Sequence, residues 1–276
     1  MAMNYAERYA SEALQPFTLA SLTTPVFSAQ YSWEGVKTVN VFTNDTVALG
    51  AYSRTAGYGT PTTIENAKDS LTVTSDVGFS ANLDKLDMSS SAGSLAAGAW
   101  LAAQMRERVA PYVDKYNFLA LYNACPTAQI SATGAVTSAN AYTEFLTGQA
   151  KLDEALVPAG GRVVFASPAY LNDIKLDANY VKASDVAQRE IMFNGQVGFI
   201  DGVPVIKAPD AIMNATDKDI EFILVHPSIV AAPIKLQELK VYEDVPGWSG
   251  SRVEGRIVHD LFVLDAVNKG IYIKRH

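Results

Sequence analysis

A chain of 276 residues, 49% of them hydrophobic and with mean hydropathy +0.06, can bury one large or two modest cores, and it has no apolar run long enough to span a membrane. Its net charge of −7 and pI near 5.0 argue against a protein that grips nucleic acid by neutralising phosphates. The single Cys125 excludes an internal disulfide framework and a cysteine-based zinc site, and no basic start followed by an apolar block opens the chain, so a cytoplasmic product without a signal peptide is expected.

Residues 1–32 are small and polar, with isolated aromatics (Tyr5, Tyr9, Phe17, Phe27, Tyr31, then Trp33) and no sustained period. Such a segment lacks a core of its own and is either frayed or laid along another surface. VKTVNVF (36–42) alternates as a strand does, and LTVTSDVGFSANL alternates again from Leu71. The stretch between them, LGAYSRTAGYGTPTTIENAKD, is rich in Gly, Thr and Ala, and at about twenty residues it is too long for an idle loop in a compact domain. A two-stranded hairpin is marginal alone in water. This arm is therefore expected to lie on something else, one candidate being a neighbouring copy of the chain.

Residues 89–124 carry the clearest helical period. Ser89 to Ser91 and Ser94 offer N-caps, and Leu95, Ala99, Ala102, Met105, Val109, Tyr112, Tyr116, Leu119 and Asn123 recur on one face. Pro111 should kink the helix or restart it. A helix of that span would measure about 45–50 Å, a strut rather than an ordinary element.

TAQISATGAVT (127–137) reads as a polar connector. Ser138 is then expected to cap a second helix with Tyr142, Phe145, Leu146, Leu152 and Leu156 on one side. GRVVFA (161–166) is a short buried strand, and SPAYLNDIKL follows as a helix with Ser167 at the N-cap and Pro168 at N1. In NGQVGFIDGVPVIKAPD the glycines at 195, 198 and 202 lack the spacing of a dinucleotide loop, and no helix start follows them. Asp201-Gly202 is instead read as the turn of a hairpin. EFILVHP and PIKLQELKVYE are further strands, and the terminal GRIVHDLFVLDAVNKGIYIKRH is expected to close as a hairpin through Asn268-Lys269-Gly270. Strands and helices mix without a βαβ rhythm, so the class is α+β.

A coherent catalytic constellation does not emerge. GSRVEGR (250–256) has the glycine spacing of a phosphate loop, but Arg256-Ile257 stand where Lys and Ser/Thr are needed. His226, His259 and His276 form no metal-binding spacing, Cys125 has no nearby base and reads as a small buried hydrophobe, and no G-x-S-x-G elbow occurs. Asp84 and Asp87 are better explained as a strand end leading into a helix than as an acid pair. The reading is a non-enzyme with no cofactor and no metal.

The order of parts and several stretches (YSWEGVKTVNVFT, AYSRTAGYGTP, VAPYVDKYNFLAL, KASDVAQREIMFNGQVGFIDGVPVIKAPD and GSRVEGRIVHDLFVLDAVNKGIYI) resemble one branch of the major capsid proteins of tailed bacteriophages, with the Hong Kong 97-type fold. The resemblance runs from about residue 5 to 274. It implies an N-terminal arm (1–35), an E-loop hairpin with flanking strands (36–80), a P-domain with the spine helix (81–130), a mixed A-domain (131–245) and C-terminal strands (246–276) returning to the P-domain. The strands at 72–83 and 252–275 would complete the sheet beside the spine helix 92–124.

Its implied partners are other copies of itself, in hexamers and pentamers of an icosahedral virion shell built in the bacterial cytoplasm. The shell encloses double-stranded DNA without sequence-specific binding and touches no membrane. A portal and a separate scaffolding protein are implied, the latter because only about 35 residues precede the hairpin; a decoration protein is left open. Candidate inter-subunit contacts are Trp33, Tyr52, Arg54, Tyr58 and Arg256. Some members cross-link neighbours through a lysine at the hairpin tip, but residues 38–67 here contain none, so no covalent cross-link is expected. The alternatives are an encapsulin-type compartment shell, disfavoured by a polar start broken by Pro16 and Pro25, and a soluble hydrolase or binding protein.

Overall fold

The computed structural model describes residues 21–27, 38–44, 46–55, 57–58, 60–61, 63–90, 97–131, 134–178, 196–214, 218–243, 247 and 249–276. Trp33, Ser91, Ser94 and Gly195 lie outside them. Strand β1 (Thr38–Asn44) pairs antiparallel with β2 (Asn66–Thr72), Val41 opposite Asp69, and forms a two-stranded hairpin arm. The stretch from Leu71 does not continue as one strand, contrary to the expectation from its alternation. The described ladder ends at Thr72, and the Thr74 amide donates to the Asp260 carboxylate. After this two-residue link the chain enters β3 (Ser75–Asp84), which belongs to a different sheet. Asp84 then accepts the Leu86 N–H at 2.8 Å and leads into the short helix α1 (Lys85–Ser90), as the acidic pair suggested.

The long helix runs as α2 (Ala97–Gln104), a π-helical turn (Met105–Val109) and α3 (Ala110–Ala124). Pro111 explains the middle piece. It has no N–H to give the Glu107 carbonyl and its ring crowds that oxygen, so the helix widens and Ala110 donates to Met105, five residues back. The expected apolar stripe is not the buried face: Ala99 and Ala102, ahead of that turn, are already exposed. The buried positions of α3 are Asp114, Asn117, Phe118 and Leu121, while Tyr112 is exposed. One extra residue in the turn shifts the phase of everything downstream.

The remaining elements are β4 (Ile130–Ser131), α4 (Ala141–Glu154), β5 (Val163–Ala166), α5 (Pro168–Leu176), β6 (Gln196–Ile200), β7 (Val203–Lys207), a short helix (Asp210–Met213), β8 (Ile220–Val225), β9 (Val230–Ala231), β10 (Ile234–Tyr242), β11 (Gly250–His259), β12 (Phe262–Val263) and β13 (Ile271–Arg275). Ser167 caps α5 as expected, its hydroxyl accepting from Tyr170 N–H at 3.0 Å. α4 starts at Ala141 rather than after Ser138, because Asn140 Oδ1 accepts the Thr137 N–H at 2.7 Å and holds the intervening residues in a turn. Asp201 and Gly202, with φ of 50° and 76°, make the predicted tight turn between β6 and β7.

Six strands form a mixed sheet in the order β4-β13-β8-β5-β7-β6. Alternate residues of its strands feed two cores. Phe165, Ile223, Val225, Ile271 and Ile273 face α3 through Phe118 and Leu121, together with Leu22 and Phe27 of the N-terminal segment. Val164, Phe222, Leu224 and Tyr272 face α4 and α5 through Phe145, Leu152, Tyr170 and Ile174. A three-stranded antiparallel sheet, β10-β11-β3, packs beside α2, with Phe79 edge-on to Trp100.

The end of the chain departs from expectation. Asn268-Lys269-Gly270 lie in a 3₁₀ helix (Asp265–Gly270), β12 pairs with β9, and β13 inserts between β4 and β8. β11 does join the sheet beside the spine helix, but β13 does not. Ile271, Tyr272, Ile273 and Lys274 are all buried, which suits a central strand and not the second half of a surface hairpin. Burial of Lys274 is possible because its ammonium meets Glu144 Oε2 at 3.0 Å.

Candidate functional site

The arm is where this chain is least self-sufficient. Phe42, Val47, Leu49, Tyr52, Tyr58 and Ile64 are all exposed, Leu49 and Tyr58 almost completely, and together they form the largest concentration of uncovered apolar side chains among the described residues. A soluble monomer gains nothing from such a surface, and patches of this kind mark interaction sites. The tip is nevertheless ordered locally. Ser53 and Gly57 exchange both backbone hydrogen bonds at 3.1 and 2.8 Å, and Gly57 takes the φ of 73° that the turn demands. Arg54 lies in that turn and is exposed, while the Tyr52 and Tyr58 rings meet edge-on with centroids 4.9 Å apart. Three of the predicted contact residues are thus brought together at one tip.

Arg256, the fourth, is far from that tip in sequence and engaged in its own sheet. Its guanidinium grips the Asp76 carboxylate with two parallel hydrogen bonds across the β11–β3 pair. It belongs to the charged outer face of the three-stranded sheet, an open groove of about 500 Å³ with Glu238, Lys240, Tyr242 and Glu254. A second groove, of about 460 Å³, runs between the long helix and β3. Val77, Phe79, Val109, Pro111, Tyr112 and Ile257 line its floor. The widened turn before Pro111 is one of its walls, so a single proline shapes the helix and the groove together.

The base of the arm is held by a compact polar node that the sequence did not signal. Asp260, buried, accepts the Thr74 N–H (2.9 Å) and O–H (3.0 Å) on Oδ2, and the Tyr116 O–H (2.7 Å) and Leu261 N–H (2.9 Å) on Oδ1. Burial first, and then this hydrogen bond, push the Tyr116 phenol up to about 12. The neighbouring His259 ring lies edge-on to Tyr116 and Tyr112, with centroid distances of 5.0 and 5.9 Å, and burial holds its pKa below the usual value. Apolar packing at the base is small: Leu71 and Val73 against Val39, Val41, Val258, Phe262 and Leu264.

His226 Nδ1 accepts from Ser228, 2.6 Å from its hydroxyl, but its other ring nitrogen meets the Gly160 carbonyl and the pair caps a one-turn helix (Pro227–Ile229). Cys125 is buried, with its thiol pushed up to about 12. Among the described residues, no three His, Cys, Asp or Glu side chains could hold a metal ion, and no helix is long and apolar enough to cross a membrane.

The fold is that of bacteriophage capsid structures, matched along nearly the whole chain. A structure from Mycobacterium phage Che8 superposes with a TM-score of 0.76 at 16% identity, covering 99% of this chain and 98% of that one. The capsid structure of Cyanophage P-SCSP1u gives 0.74 at 15% identity over 98% and 92% of the two chains. The asymmetric unit of the bacteriophage PhiM1 mature capsid gives 0.73 at 14% identity over 99% and 92%. No protein-family model and no curated protein matches the sequence. The likeness drawn from the sequence to tailed-phage major capsid proteins is therefore met in three dimensions, at identities where only the fold is carried over.

Proposed function

We propose that this chain is the major capsid subunit of a tailed phage, assembling into hexamers and pentamers of an icosahedral head that encloses double-stranded DNA. The whole-chain likeness to phage capsid structures carries this reading. The unsatisfied arm supports it physically. Its exposed apolar side chains gain burial only against another copy, and the apolar groove beside the long helix is a surface of suitable chemistry to receive them. In ring-forming contacts of this kind, one subunit's arm covers the next until rotation closes the ring. The acidic balance suits a container whose wall must not hold its contents tightly.

The test is assembly. Purified protein is expected to elute as megadalton particles, visible as closed shells by negative-stain microscopy. Deleting residues 45–65 should leave a folded subunit that no longer assembles. A wild-type protein that stays a stable 29.7 kDa monomer overturns the reading.

A further inference from the structure

We infer that Asp260 is the positioning residue that sets the direction in which the arm leaves the subunit. The inference rests on the proposal that the arm works between copies. Two facts about the base carry it. Among the described residues, the hairpin joins the body through the two-residue link Val73–Thr74, and its apolar packing there is the small cluster around Leu71 and Val73. So little surface gives no strong angular preference, because apolar contact is non-directional. On this side of the arm, direction comes from hydrogen bonds.

One carboxylate supplies them. Oδ2 of Asp260 takes both donors of Thr74, in the link itself, and Oδ1 takes the Tyr116 hydroxyl from α3. The residue thereby ties three parts of the chain at one point: the link, the long helix and the break between β11 and β12. Each oxygen receives two donors, so all of its ligands are donors and the site needs an acceptor on both sides. An asparagine of the same shape fails, since its amide would turn two N–H groups toward either Thr74 or Tyr116 and Leu261. The requirement is for two acceptor oxygens, not for volume.

A direct distance measurement tests the idea without relying on assembly. Nitroxide labels at Leu49→Cys on the arm and Ala102→Cys on α2, both exposed positions, are placed in a Cys125→Ala background and read by pulsed electron–electron resonance. The parent should give one narrow distance. Asp260→Asn should broaden it into several populations, and Tyr116→Phe, which removes one of the four donors, should broaden it less. Tyr112→Phe, whose ring touches His259 but not Asp260, should leave it unchanged. Circular dichroism identifies any variant that fails to fold; should Asp260→Asn be one, Tyr116→Phe against Tyr112→Phe decides.

An unaltered distribution in a folded Asp260→Asn, or equal broadening in the two tyrosine variants, overturns the inference. Particle yield is read in parallel on the unlabelled proteins, with loss of uniform shells expected for Asp260→Asn. If the parent forms no particles, the proposed function fails while the distance distributions still judge the latch.

Discussion

Asp114 offers the sharpest energetic test of how the start of the chain is held. Its carboxylate is buried in α3 and accepts from Leu22 N–H (2.9 Å), Thr23 N–H (3.1 Å), the Thr23 hydroxyl and Ser21 O–H (2.8 Å). In Asp114→Ala two outcomes compete. If the segment stays docked, two buried amides lose their acceptor at about 1–3 kcal/mol each, so the cost is about 2–6 kcal/mol. If it undocks, the burial of Leu22 and Phe27 is lost at about 1.5–3 kcal/mol each, but the freed residues regain conformational entropy of roughly 1 kcal/mol apiece. The regained entropy offsets most of that burial, so undocking is the cheaper route and the net loss stays below the roughly 2–6 kcal/mol of the docked one.

The signature is therefore specific. Denaturant unfolding of the subunit should show a midpoint lowered by that modest amount, while hydrogen exchange at the Leu22 and Thr23 amides rises to the rate of open chain. Asp114→Asn should fall between, keeping one carbonyl oxygen and turning an N–H pair toward the other donors. An Asp114→Ala protein with both amides still protected and an unchanged midpoint would refute the account.

Other outcomes follow from single contacts. A Cβ on Gly250 would lie 2.0 Å from the Leu83 carbonyl oxygen at a φ of 152°, so Gly250→Ala should lower stability by about 1–3 kcal/mol in thermal unfolding. His259 is held below its usual pKa of 6.5, so its contribution is complete above that value and is lost as pH falls through it. Glu221, raised above 4.5 by burial, acts with the opposite sign in acid, so the difference between the wild type and His259→Gln isolates the histidine: that difference should shrink from pH 7 to pH 5. On a denaturing gel, boiled particles should run as the 29.7 kDa subunit alone, and a ladder of multimers would contradict the absence of a tip lysine.

What could be read from the sequence was local. Ser167-Pro168 starts a helix and Asp201-Gly202 turns a hairpin because cap and turn chemistry act over three or four residues. The strand break after Thr72 and the place of β13 could not be read this way, since each is decided by a partner far along the chain: Asp260 for the Thr74 amide, and β4 and β8 for IYIKR. The alternation of a buried central strand and of a hairpin arm look alike until those partners are known. Pro111 did announce a break in the helix, but periodicity alone could not tell a kink from an inserted residue, and the buried face of α3 (Asp114, Phe118, Leu121) lies two positions on from the expected one. At the candidate site, the exposed tip was legible through its glycines and tyrosines, whereas the Asp260 node was hidden because its donors come from residues 74, 116 and 261.

The widened turn before Pro111 lets one rod serve two clients. Each added residue rotates the surface of an α-helix by about 100°, so α2 and α3 can aim differently although they share one axis. α2 addresses the three-stranded sheet through Trp100, and α3 addresses the six-stranded sheet through Phe118 and Leu121. A straight, uniformly wound helix would have to choose between them. At that turn the regular backbone bond to Glu107 is missing, since Pro111 has no N–H to give. In the proposed shell, an unequal load on the two sheets should bend the rod first at residues 105–111, where that bond is missing.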